Sequence, residues 1–363
     1  MKSKKKRLRV QEIIFVILLV VAVILGSLSV AKAKGWLIPK QPQLEIIDGT
    51  INLDSMTLEQ KIAQMIIVAG LKDNYYPWRN MQVGGIHLFA LQTTNIFNNT
   101  IIDFQYGMPI HFFVTADLEG CITPFANIKN FTAASEIETV GEAYEKGFQE
   151  GEFLRSLGFN LNFAPVVDLH DDIWKCRTFP GDEKKIAELA QAYTQGLQSQ
   201  QVIATVKHYP GKTLVVKDPH KFIVTAEIDK EDIYPYKYLL ERRNVKALMV
   251  SHLITSGEID SQNLPSVVSK EVIDKIKKDF DGLIISDEIH MLGLKIFYSS
   301  LDEMYVAVFK AGNDVILNFD RDPNEIYHMI QVIKDAVERE EISEEQIDNS
   351  VRKILVAKGF NLR

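Results

Sequence analysis

Eight short apolar runs, each followed by a longer stretch of different rhythm, constrain the fold of this chain more than any other feature. The runs are AQMIIVA (63–69), GGIHLF (84–89), IHFFVTAD (110–117), NLNFAPVVD (160–168), VIATVKH (202–208), VKALMVSH (245–252), DGLIISD (281–287) and NDVILNF (313–319). Most are too short for helices and rich in Val, Ile and Phe, which suits strands buried on both faces. Between them, Glu138 to Leu157, Glu183 to Gln200, Lys230 to Arg243, Ser269 to Phe280 and Leu301 to Ala311 repeat apolar positions at three- and four-residue steps, as amphipathic helices do. Asn324 to Glu338 and Ser343 to Lys358 supply two more. Strand–helix alternation predicts an α/β fold, a (β/α)8 TIM barrel forming a single domain. A doubly wound open sheet is the alternative, because periodicity does not show closure.

The N-terminus has its own logic. The first nine residues, MKSKKKRLR, hold six basic side chains and no acid, and Ile13 to Val30 then runs for eighteen residues without charge or proline. Such a run can cross a bilayer, and its basic flank stays cytoplasmic. Ala31-Lys32-Ala33 also has the small-x-small form of a signal-peptidase site, so an uncleaved anchor and a cleaved signal both remain open. Either route carries the rest of the chain across the membrane. The expected division is residues 1–33 as basic n-region and transmembrane segment, 34–54 as linker and 55–363 as the barrel. Localisation is expected at the cell membrane, single-pass with an extracytoplasmic catalytic domain, or secreted if the segment is cleaved. Without the six N-terminal cations the chain has 35 basic against 48 acidic residues, a net of −13. That balance argues against nucleic acid as a partner.

In a barrel of this kind, chemistry sits where strands end and loops begin. Asp117 ends the third run, Lys207 and His208 the fifth, His252 the sixth and Asp287 the seventh. Each alone has the plain reading of a helix cap; five on one rim point to a shared site. Asp287 and Glu288, adjacent along a strand, are expected to face opposite ways and so to make a poor metal site. No His/Cys cluster has zinc spacing, and the expected chemistry uses no metal and no cofactor. The stretch VKHYPGKTLVVKDPHKF (206–222) concentrates proton-carrying groups in a chain with only 8 histidines.

The ordered series VGGIHLF, TADLEG, LNFAPVVDL, RTFPGD, KHYPG with DPHK, and FDGLIISDE resembles glycoside hydrolase family 3, and most closely its bacterial β-N-acetylglucosaminidases. The resemblance covers about residues 55 to 320. It implies that Asp287 is the catalytic nucleophile and His220 the general acid/base, paired with Asp218. It further implies that Asp117, Arg177, Lys207 and His208 hold the sugar. An imidazole suits the second role because its pKa of ~6.5 lets it give and take a proton near neutrality.

The sequence departs from the family pattern in three places. EG is followed by Cys121-Ile122 rather than Gly-Arg, KHFPGHG becomes KHYPGKT, and Glu288 stands where aspartate is usual. Cys121 and Cys176 fall on rim loops after neighbouring strands, where an oxidising compartment allows a bond between them. The expected activity is a retaining, exo-acting β-N-acetylglucosaminidase working on cell-wall (peptidoglycan) fragments. Two alternatives are a β-N-acetylglucosaminide phosphorylase and a membrane-tethered glycan-binding protein with weak catalysis. The oligomeric state is not legible.

Overall fold

The computed structural model describes residues 2–214 and 222–363. Among these, the eight apolar runs become the eight strands of one parallel sheet. They are β1 Ile66–Ala69, β2 Gly85–His87, β3 Phe113–Ala116, β4 Leu161–Asn162, β5 Ile203–Tyr209, β6 Ala247–Val250, β7 Leu283–Ser286 and β8 Ile316–Asn318. Their spatial order is β7-β6-β5-β4-β3-β2-β1-β8, so neighbours in sequence are neighbours in space. β8 pairs with β1 through Ile316–Ile66, Leu317–Ile67 and Asn318–Val68, and a bridge from Ile285 to Val315 links the other end of the sheet back to the β8 side. The sheet thus closes into a nearly complete barrel. An open doubly wound sheet, with its reversal of strand order, is excluded.

Helices alternate with the strands: α1 Tyr75–Met81, α2 Thr94–Gln105, α3 Val140–Leu157, α4 Glu183–Ser199, α5 Lys230–Glu241, α6 Lys270–Asp279, α7 Leu301–Ala311 and α8 Pro323–Glu338. A further helix, α9 Glu344–Ala357, lies across the base, where Lys353 donates to Gly282 O and Lys358 to Gly84 O. Local chemistry fixes where these helices start. Thr139 and Glu142 exchange side-chain and backbone hydrogen bonds in a capping box at α3, while Asp182, Ser300 and Ser343 cap α4, α7 and α9. Asp322 caps α8, with Pro323 following at its first turn. α3 and α4 approach backbone to backbone: a β-carbon on Gly147 would lie 2.1 Å from Tyr193 O, and one on Gly196 would lie 2.1 Å from Tyr144 O.

β1, β3, β6 and β7 are buried at every position, as strands enclosed by side chains inside and helices outside must be. The first run is not strand throughout. Ala63 and Gln64 instead finish a short helix, Leu58–Gln64, opened by a Thr57–Gln60 capping box. The hairpin of Ile46–Ile47 with Thr50–Ile51 pairs with Asn361–Leu362 at the base. A two-stranded parallel pair, Thr225–Ile228 with Ile254–Gly257, extends the opposite rim. Ahead of all this stands a helix, Lys2–Ala33, whose apolar part Glu12–Ala33 is long enough to cross a membrane and has none of its most apolar window buried.

Candidate active site

A cavity of about 410 Å³ opens at the rim where the strands end. Asp117, Arg177, Lys207, His208 and Asp287, singled out from sequence, all border it. Asp218 and His220, expected as the acid/base pair, lie outside the described residues. Glu119, Trp174, Thr213, Leu214 and Glu288 complete the polar and loop walls, and Phe163, Met249 and Leu317 are among its apolar lining.

β5 supplies two neighbouring side chains to the same cavity, which strict strand alternation forbids. Its register against β6 shifts between Val206 and Tyr209, and across that irregularity both Lys207 and His208 face the cavity. A similar correction applies to Asp287 and Glu288. They were expected to face opposite ways, yet both border the cavity, because β7 ends at Ser286 and alternation ends with it. His252 does not line the cavity; its Nε2 donates to Glu288 O at 2.8 Å and steadies that loop from beneath.

The charged groups form one buried network. Lys207 Nζ lies 2.7 Å from Asp117 Oδ1 and 2.5 Å from Glu119 Oε1. Arg177 grips Glu119 with two parallel bonds, Nε to Oε2 at 2.6 Å and Nη2 to Oε1 at 2.9 Å. Burial, the largest single influence, pushes the Asp117 and Glu119 carboxyls up, but the surrounding cations, Lys207 foremost and Arg177 with it, together outweigh burial and hold both below the usual range. Burial likewise pulls Lys207 down, and its two carboxylate partners more than restore it. All three stay charged at neutral pH. His87 sits beneath Asp117, with Nε2 at 3.6 Å from Oδ2, and stacks on Phe319 at 4.7 Å. Burial lowers its pKa to about 4, against the pull of Asp117, so it is neutral here.

His208 is oriented from both sides. Its Nδ1 lies 3.0 Å from Asp168 Oδ2, and Arg177 Nη2 is 3.5 Å from its Nε2. A guanidinium only donates, so Nε2 accepts and the ring proton sits on Nδ1, donated to Asp168. Asp168 also accepts from Thr213 N at 2.9 Å, tying β4 to the segment after β5. The β4 loop is wound round Asp171, whose carboxylate accepts from the backbone N–H of Trp174, Cys176 and Arg177. This turn sets the Arg177 guanidinium 4.7 Å from the Trp174 ring. Cys121 and Cys176 form a disulfide, which joins this loop to the one after β3. Where sequence reasoning saw a lost arginine, Ile122 borders the cavity.

Glu288 differs in state from the other acids. Burial raises its carboxyl to about 7, opposed by hydrogen bonds from the N–H of His290 and Phe319, while the charge of Asp287 adds to the rise. Three groups at the site went unremarked from sequence: Glu119, Asp168 and His87. Asp168 ends the run NLNFAPVVD as Asp117 ends its own, so the rim rule could have found it. Glu119 lies in the quoted TADLEG, but only the fold shows that it pairs with two cations.

Residues 57–357 match the family model for the glycosyl hydrolase family 3 N-terminal domain. Among curated proteins, the chain is 26% identical over 325 residues to the β-hexosaminidase LpqI of Mycobacterium tuberculosis, covering 83% of this chain and 82% of that one. Among solved structures, it superposes on M. tuberculosis LpqI with a TM-score of 0.78 at 24% identity, covering 89% of this chain and 99% of that one. It also superposes on a glycoside hydrolase family 3 β-N-acetylglucosaminidase from a Paenibacillus species, with a TM-score of 0.74 at 26% identity, covering 84% of this chain and 62% of that one.

Proposed function

The chain belongs to glycosyl hydrolase family 3, and on that premise we propose that this glycosidase is a retaining, exo-acting β-N-acetylglucosaminidase of cell-wall glycan fragments. We further propose that the N-terminal helix holds it at the outer face of the cytoplasmic membrane, with residues 55–363 as the catalytic body. The observation that carries the reading is the Asp287 carboxylate bordering the same cavity as Asp117, Arg177, Lys207 and His208. Similarity to β-hexosaminidases along most of the chain supports the choice of sugar.

In this reading the charged cluster grips the terminal sugar. Asp117, held ionised by Lys207, accepts hydrogen bonds from hydroxyls, and Lys207 and Arg177 donate to sugar oxygens. Asp287 attacks the anomeric carbon and forms a glycosyl ester as the bond to the leaving oxygen breaks. His220, supported by Asp218, gives its proton to that oxygen. It then takes a proton from water, whose oxygen attacks the same carbon and frees Asp287. Leu214, at the edge of the described segment leading to those two residues, borders the cavity. Retention follows from two inversions at one carbon.

Turnover of a chromogenic N-acetyl-β-glucosaminide tests the assignment. Asp287→Ala should abolish release of the chromophore, and His220→Ala should slow it by about 10²–10⁴-fold, the usual contribution of a general acid/base. Undiminished release by Asp287→Ala would remove the nucleophile.

A further inference from the structure

The point at which the N-terminal helix joins the body determines which face of the barrel lies nearest the bilayer. Asn324 Nδ2 donates to Lys32 O at 3.1 Å, Lys34 Nζ lies 3.4 Å from Asp73 Oδ2, and Gly35 packs against Pro323. Asp73 follows β1, while Pro323 and Asn324 follow β8, so all these contacts are on the rim that carries the cavity. The chain then descends the barrel wall. Gln41 N donates to Asn80 O at 2.9 Å, and Pro42 O accepts from Gln60 and Gln82, residues near the base beside the starts of β1 and β2. Nothing in the most apolar window of the helix is buried against the body, so the helix leaves the molecule at the rim.

Part of the exposed rim is apolar. Trp36 and Leu37 follow the helix directly, Phe222 and Ile223 lie in the β5–α5 connection, and Leu292 and Ile296 lie in the β7–α7 connection. Each is between 39% and 57% exposed. Exposed aromatic and aliphatic side chains on the rim that holds the end of a membrane helix match the chemistry of the headgroup layer.

We propose that the catalytic rim rests on the outer surface of the lipid bilayer, so that the active-site cavity opens beside the membrane rather than away from it. This rests on the membrane-tethered reading above. The enzyme then trims glycans whose sugar ends lie at the bilayer surface, before those further out. Geometry sets this preference: a residue hydrogen-bonded to the rim sits within the last turn of the helix, so the rim is held next to the bilayer.

Depth-dependent quenching tests the orientation. The full chain is reconstituted in phosphatidylethanolamine/phosphatidylglycerol vesicles containing spin-labelled lipid, with bimane on a single added cysteine at Ile296→Cys or, at the base, Val356→Cys. Co-flotation with the vesicles comes first, and a chain that fails to float overturns the tether itself. For a floated chain, strong quenching at 296 with little at 356 is expected. Equal quenching at the two sites, or quenching at 356 alone, overturns the orientation and leaves the tether standing.

Discussion

Lys207 stands between two carboxylates, and Glu119 between two cations, so each charge at the cavity wall is neutralised by a neighbour that is itself buried. Removing one member leaves the others uncompensated in a dry setting, where a broken pair costs far more than the intact pair contributes. Glu119→Gln should therefore destabilise the fold by about 3–5 kcal/mol, read as a lower urea midpoint. A double variant that also replaces Lys207 by Met should lose less than the sum of the two single changes. Glu288 makes a pH prediction. Its folded pKa of about 7 lies above the ordinary 4.5. Between those values the folded state binds more protons than the unfolded one, so this group's contribution is fully present below 4.5 and is lost as pH rises through 7. Glu288→Gln should gain in urea midpoint relative to wild type on going from pH 5 to pH 8. A difference independent of pH would contradict that account. At this scale the sequence was informative at four of the five polar residues that end apolar runs: Asp117, Lys207, His208 and Asp287 meet at one cavity, and His252 lies outside its lining. It was uninformative about partners. Nothing along the chain says that Glu119 and Lys207, 88 positions apart in the numbering, share a bond.

Among elements, the strands were legible because burial on both faces leaves an unbroken apolar run, and each of the eight runs contains or overlaps its strand. The missed helices have physical reasons. α2, TNIFNNTIIDFQ, buries Phe97, Ile101 and Phe104 at helical spacing but is filled with Asn and Thr, which favour turns and strands over helix interiors. α1 is only seven residues long and carries Pro77 in its first turn, so it offers too little periodicity to read. The alternation rule also failed for the pair at 207–208, where the β5 register shifts, and for the pair at 287–288, where β7 has already ended. Both failures fall at the site, and each brings adjacent side chains to one cavity. The loops are tied as well as the strands. Cys121 and Cys176 close a loop of 55 residues' separation. Replacing both by Ser should lower stability by up to about 4 kcal/mol in the chain-entropy model. It should also raise KM more than it lowers kcat, because the loop that holds Arg177 is freed. Unchanged stability and KM would show the bond to be idle.

For the whole molecule, closure was the property the sequence withheld, since a local period is the same in an open sheet and a closed one. Strand order and the β8–β1 pairing decide it, and they gather residues from across the chain at a single mouth. The path of the chain down the barrel wall, from the rim-bound end of the apolar N-terminal helix, is likewise encoded in no periodicity. In the mechanism we propose, Asp287 becomes covalently attached to the sugar during each turnover. Incubation of the full chain with a 5-fluoro-N-acetylglucosaminyl fluoride, which slows release of a glycosyl ester, followed by peptide mass mapping, measures this directly. One sugar adduct is expected, on the peptide containing Asp287, and none on the Asp287→Asn variant. A sugar attached to a different residue, or turnover with inversion at the anomeric carbon and no adduct, would contradict it.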